Sequence, residues 1–269
     1  MKIGLVNLCK IEDFSKKKEY QASLEFLREN NIDFVDYFSG RESLIDLLDG
    51  FHEALSNKEV ELIWFIQGGN NMIRFLDKID WELVERSQKE YLGLSDFTHF
   101  VFRAVSFNKI CYYGPGLKNI KSYFPIAEQN EFIIRFLKYK EIEPYDAELI
   151  FGKGILSLEN EKIVGGHSFI SALMLQNTKI DLSSRLLFFE HHSLLSEGLD
   201  GAGYFLNAVK LYILHNKPKS IILGHSIILD KDGTALAVGS INQYFTKNLI
   251  DLDLPIYYID HFKKIIKFS

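Results

Sequence analysis

The first hundred or so positions alternate short apolar runs with amphipathic ones: "KIGLVNL", then "KKKEYQASLEFLREN", "IDFVDYF", "ESLIDLLDGFHEAL" and "ELIWFIQGG". Leu62 to Ile66 is apolar on both faces, which suits a parallel strand covered by helices on each side rather than a half-exposed edge. The alternation predicts an α/β domain. Beyond "CYYGPGLKN" the regularity weakens to about residue 150, where Pro125, Pro144 and mixed charges suggest a bridge. A second unit starts near "LIFGKGILSLENEKIVGG", with short alternating strands and a turn expected at Asp232-Gly233. Further strands are expected at "SRLLFFE", "SIILGH" and "LPIYYID". No internal repeat or low-complexity tract interrupts the pattern.

A chain of 269 residues with 47% apolar and 25% charged positions has enough apolar material for one large or two ordinary cores. The net charge of -5 and the dispersed lysines exclude a basic footprint for nucleic acid and point to a small substrate. Cys9 and Cys111 have no metal or disulfide spacing and read as small hydrophobic residues in a reducing compartment. The N-terminus lacks a cleavage-site pattern and reads as a first strand, and no apolar run reaches the roughly 18–20 residues that span a bilayer. A cytoplasmic protein without a membrane partner is expected.

The chemistry concentrates in two stretches. "EYLGLSDFT" sets Ser95 between a strand and a helix, two residues after Gly93, where a sharp turn pushes a hydroxyl outward and aims helix N-terminal amides at a developing oxyanion. Phe97 stands where a full G-x-S-x-G elbow has its last glycine, so a helix cap is the plainer reading of Ser95 alone. "WFIQGGNNMIRFLDKIDW" places Gly68 and Gly69 after a buried strand and before an expected helix, offering backbone amides to an anion. Two such elements at neighbouring strand ends suit the carboxyl edge of an open sheet, where α/β proteins bind ligands.

Together, "QGGNNMIRFLDKIDWELVERSQKEYLGLSDFTHF" resembles the diagnostic block of the serine peptidases that comprise LD-carboxypeptidases and the microcin C self-immunity proteins. "CYYGP" is similar to a segment of the immunity branch, and "KIVGGHSFISALM" and "SRLLFFEHH" resemble later segments of the family. The resemblance implies a Ser-Glu-His triad, with the serine at Ser95, the glutamate at Glu190, and oxyanion donors at the amides of Gly69 and Asp96. Two histidines compete for the third place. His225 in "IILGH" has the family's local spelling, whereas order and spacing place the family's histidine on His261 in "IYYIDH". The sequence also departs from the family: His167 stands for an asparagine, "NTKID" replaces a pocket segment, and eight residues follow His261 where the family has a further turn and strand.

The expected architecture is thus α/β, with a flavodoxin-like parallel-sheet domain over residues 1–118, a bridge over 119–150, and a smaller, strand-rich mixed α/β domain over 151–269. The expected activity is hydrolysis of an amide through an acyl-enzyme, with no cofactor and no metal. The resemblance implies a small peptide or aminoacyl-nucleotide substrate and a homodimer. One competing class is a catalytically degenerate homologue that binds a peptide or nucleotide. Another is a metal-dependent hydrolase, prompted by Glu190, His191 and His192 beside His225 and His261, although no H-E-x-x-H spacing supports it. "DKDG" echoes a calcium loop, but a hairpin turn accounts for it.

Overall fold

The computed structural model describes all residues except 12–16, 118–119, 121–126, 145, 155, 157, 159–160, 192–197, 215, 229–233 and 262–263. The chain divides into two compact units, Met1–Glu143 with Phe262–Ser269, and Pro144–His261.

In the first unit the buried apolar runs become strands β1 (Lys2–Val6), β2 (Asp33–Asp36), β3 (Val60–Phe65), β4 (Glu90–Gly93) and β5 (Cys111–Tyr113). All five pair in parallel in the order 2-1-3-4-5, the flavodoxin-like arrangement. Helices α1 (Lys18–Glu29), α2 (Leu44–Ser56), α3 (Trp81–Arg86) and α4 (Thr98–Ser106) connect them. Ser43 starts α2 by accepting the Asp46 N–H, and Asp80 starts α3 by accepting that of Leu83. Much of the aromatic content lies here as core: Phe65 packs against Phe51, Phe97 and Phe100 at ring separations of 4.8–5.7 Å. The sheet order reverses between β1 and β3, the switch point at which open α/β sheets bind ligands.

The division differs from the expected one at both ends of the second unit. Residues 127–139, expected in a bridge, form helix α5 (Ala127–Tyr139) of the first unit. The last residues return as strand β11 (Ile266–Phe268), antiparallel to β5. The eight residues after His261 therefore do hold a final strand, and the burial of Ile266 and Phe268 against the first sheet supplies the reason.

The second unit holds β6 (Glu148–Phe151), β7 (Lys162–His167), β8 (Arg185–Glu190), β9 (Ser220–Gly224) and β10 (Ile256–Ile259), in the order 6-10-9-8-7. Strands β7 to β10 run parallel, and α6 (Ser168–Asn177), α7 (Gly198–Ile213) and α8 (Val238–Leu249) alternate with them, so the unit is more regular than short alternating strands suggested. Among the described residues of this unit, only β6 is antiparallel. The turn expected at Asp232-Gly233 lies outside the described residues. Gly165 is fixed by its neighbours: its φ is +146°, and a Cβ there would lie 1.9 Å from the Phe188 carbonyl oxygen on β8. Among the described residues no helix is long and apolar enough to cross a membrane.

Candidate active site

In the first unit three loops meet at the carboxyl edge of β1, β3 and β4. After β4 the chain turns through Leu94 into a single 3₁₀ turn, Ser95–Phe97, before α4 begins. Ser95 has φ +52°, a left-handed conformation that costs a non-glycine residue on the order of 1–3 kcal/mol and that persists only where the surroundings enforce it. Both of its backbone groups are held: its N–H donates to Tyr113 Oη at 2.7 Å, and its carbonyl accepts the Thr98 hydroxyl at 2.6 Å. A Cβ on Gly93 would meet the Phe97 ring at 2.5 Å, and one on Gly68 would meet Ser95 Cβ at 2.9 Å, so both glycines make room for the turn. Phe97, the departure from the full elbow pattern, is buried and stacks on Phe100, so this position serves the core instead.

The Gly68-Gly69 loop leads into one 3₁₀ turn, Met72–Arg74, where a longer helix was expected. It is pinned from the loop after β1: the amides of Asn70 and Asn71 both donate to the Cys9 carbonyl, at 3.0 and 3.1 Å. A Cβ on Gly69 would lie 1.8 Å from that carbonyl oxygen, so only glycine fits. Burial, together with nearby Asp96, pushes the Cys9 thiol well above its ordinary range, and it is no nucleophile. Beneath the loop Gln67 donates to Asn7 Oδ1 at 3.2 Å. Among the described residues neither the Gly69 N–H nor the Asp96 N–H has an acceptor. The Asp96 carboxylate, by contrast, is fully used: Oδ2 accepts the Met72 N–H at 2.8 Å, and Oδ1 lies 3.1 Å from His99 Nδ1.

In the second unit the structure joins Glu190, the last residue of β8, to His261, two residues beyond β10. His261 Nε2 lies 2.9 Å from Glu190 Oε2, and both side chains are buried. The other ring nitrogen, Nδ1, accepts the backbone N–H of His225 at 3.0 Å, which makes Nε2 the protonated nitrogen of a neutral ring. The His225 imidazole itself faces Tyr258 Oη at 3.3 Å and Asp260 at 3.8 Å, not Glu190. Burial and the carboxylates of Asp260 and Glu148 push the Tyr258 phenol up to about 12. His261 fits over Gly224, whose absent Cβ would lie 2.7 Å from Nδ1, and its ring meets Phe188 edge-on.

His191 points elsewhere, to the buried Ser168 hydroxyl at 2.7 Å, while its amide donates to Ser226 Oγ at 3.0 Å. His192 lies outside the described residues. Among the described residues no group of three or more His, Cys, Asp or Glu side chains is placed to hold a metal ion.

Tyr113, His99 and Asn7 escaped the sequence reading. Tyr113 lay within "CYYGP", but nothing in its spelling shows that a phenol 18 residues downstream receives the Ser95 amide.

Residues 3–114 match the family model of the LD-carboxypeptidase N-terminal domain. Both Ser95 and the Gly68-Gly69 loop fall inside the matched residues. The chain is 27% identical over 167 residues to a probable murein peptide carboxypeptidase of Bacillus subtilis (strain 168), over 57% of this chain and 49% of that protein. The match thus spans about half the length of that relative. Two solved structures share the fold over the whole chain. The microcin C7 self-immunity protein MccF, in complex with aspartyl sulfamoyl adenosine, superposes with a TM-score of 0.77 at 18% identity, covering 100% of this chain and 91% of that one. A muramoyltetrapeptide carboxypeptidase from Oxalobacter formigenes gives 0.74 at 18% identity, covering 100% and 92%.

Proposed function

We propose that the protein is a serine hydrolase that cleaves an amide through an acyl-enzyme, with Ser95 as nucleophile, His261 as base and Glu190 as the group that orients it. The observation that carries the reading is the strained Ser95 elbow beside two amides with no other acceptor. The backbone of Ser95, a half-buried residue, is held in a costly conformation by Tyr113 and Thr98 and walled by Gly68 and Gly93, where a Cβ would not fit. A structural cap has no need of such a conformation.

In the reaction the Ser95 hydroxyl attacks the carbonyl carbon of the amide and its proton passes to the imidazole. The negative charge on the carbonyl oxygen is met by the Gly69 and Asp96 N–H groups. Collapse expels the amine, which takes the proton back from the imidazole, and water then releases the acyl group by the same steps. Glu190 holds the ring through Nε2, so the accepting nitrogen is Nδ1, which must exchange the His225 N–H for the substrate-side proton.

The substrate classes proposed are the L,D-amide of a murein tetrapeptide and the amide of an aminoacyl or peptidyl nucleotide; relatives named as murein peptide and muramoyltetrapeptide carboxypeptidases, and one bound to aspartyl sulfamoyl adenosine, support them. By resemblance the enzyme would act as a homodimer, and the buried free thiols of Cys9 and Cys111 suit the cytoplasm.

One observation favours a second reading. Because both His261 nitrogens are engaged within the second unit, a homologue that binds such ligands without turnover fits the same geometry. Mass spectrometry of a murein tetrapeptide and an aminoacyl sulfamoyl adenosine, incubated with wild type, Ser95→Ala and His261→Ala, decides. Cleavage of one compound by wild type and by neither variant supports the hydrolase. Tight binding of either compound without cleavage or covalent labelling of Ser95 supports the binding protein.

A further inference from the structure

Asp96 is 1% exposed and His99 5% exposed, yet neither belongs to the triad. A carboxylate this deeply buried is costly unless its oxygens are satisfied. Here one oxygen takes the Met72 N–H at the far end of the Gly68-Gly69 loop, and the other faces His99 Nδ1, which also lies 3.1 Å from the Asp96 carbonyl oxygen. The loop is therefore fastened at two points, by the Cys9 carbonyl from the loop after β1 and by the Asp96 carboxylate from the elbow. Asp96 contributes the anchor with its side chain and an unengaged N–H with its backbone. Moving one moves the other.

We propose that Asp96, braced by His99, is a positioning residue that sets the separation between the Gly69 and Asp96 N–H groups, and hence the width of the oxyanion site. The proposal rests on the serine hydrolase reading. Its physical basis is that oxyanion donors act only when preorganised at hydrogen-bond distance from where the charge develops, and a misplacement of about 1 Å can cost about 100-fold in rate. A neutral amide at position 96 would turn an NH₂ group toward one of the two donors it now accepts. A phenyl ring at position 99 keeps the volume and removes the brace. Asparagine at 99 restores a donor close to the place of Nδ1.

The test is the rate at which a fluorophosphonate phosphonylates Ser95 at saturating reagent, because the phosphonyl oxygen draws on the same donors. It is measured for wild type, Asp96→Asn, His99→Phe and His99→Asn, with hydrogen exchange at the Met72 amide followed in each. The expected result is a fall of about 100-fold for Asp96→Asn. A smaller fall is expected for His99→Phe, with recovery in His99→Asn and faster Met72 exchange wherever the rate falls. If Asp96→Asn does not fold, the two His99 variants carry the comparison. Labelling of wild type and of every folded variant at the same rate overturns this proposal alone. Equal losses in His99→Phe and His99→Asn do so as well. No labelling of wild type removes the hydrolase reading and the proposal together.

Discussion

Ser95, proposed as nucleophile on the family resemblance, has a backbone angle that the spelling of its stretch does not contain. Its φ of +52° implies a strain that glycine would relieve and alanine would keep. Ser95→Gly and Ser95→Ala both lack the hydroxyl, so both should be inactive. Urea unfolding should find the glycine variant more stable than the alanine one by about 1 kcal/mol. Equal stabilities would mean that the elbow is not strained. The residues that hold the turn were illegible beforehand because their partners are set by three-dimensional neighbourhood. Tyr113 and His99 are ordinary in sequence, and only the packing of β4, β5 and α4 gives them the Ser95 amide and the Asp96 carboxylate.

Two glycines show how elements position the second unit's chemistry. At Gly165 a Cβ would strike the backbone oxygen of Phe188, which cannot move without breaking the β7–β8 pairing, so Gly165→Ala should prevent stable folding. At Gly224 a Cβ would strike the side chains of His261 and Phe188, which can swing away. Gly224→Ala should therefore fold, melt within a few degrees of wild type and lose at least about 10-fold in hydrolysis, because the imidazole leaves its place on Glu190. Thermal melts and initial rates of the two variants check the contrast. The strand β11 matters in the same way for the first unit. Phe268 is fully buried against Tyr113 at a ring separation of 5.7 Å, and Phe268→Ala should cost about 3 kcal/mol in denaturant unfolding. A value under about 1 kcal/mol would show that the last strand is not part of the core.

At the scale of the whole molecule, buried weak acids outnumber buried weak bases among the shifted groups of the described residues, and this sets the alkaline behaviour. Burial raises the phenols of Tyr20, Tyr91 and Tyr258 above their ordinary value of 10.0, and the thiols of Cys9 and Cys111 above 9.0. Each holds its proton longer folded than unfolded, so the stability it lends is intact below its ordinary value and is lost as pH rises through the folded one. Lys89 and Lys109, lowered chiefly by burial, work in the opposite direction up to their ordinary value of 10.5. Denaturant unfolding between pH 8 and pH 12 should accordingly show stability falling most steeply above about pH 10.5, where the two lysines no longer oppose the acids. Stability unchanged between pH 10 and pH 12 would contradict the burial of these groups.

By itself the sequence determined the alternation of strands and helices, the parallel first sheet, and the local peptides that carry Ser95, Gly69 and Glu190. Apolar periodicity and turn chemistry act over a few residues and are written in order along the chain. Tertiary structure decided what depends on distant pairing. It returned the last strand to the first sheet. It brought Glu190 against His261, 71 residues away, while turning the His225 side chain toward Tyr258. Among the described residues it also left the Gly69 and Asp96 amides without acceptors while committing the Asp96 carboxylate twice. These outcomes follow from which strands lie side by side and from the close-packed space between them, which no short stretch of the chain contains.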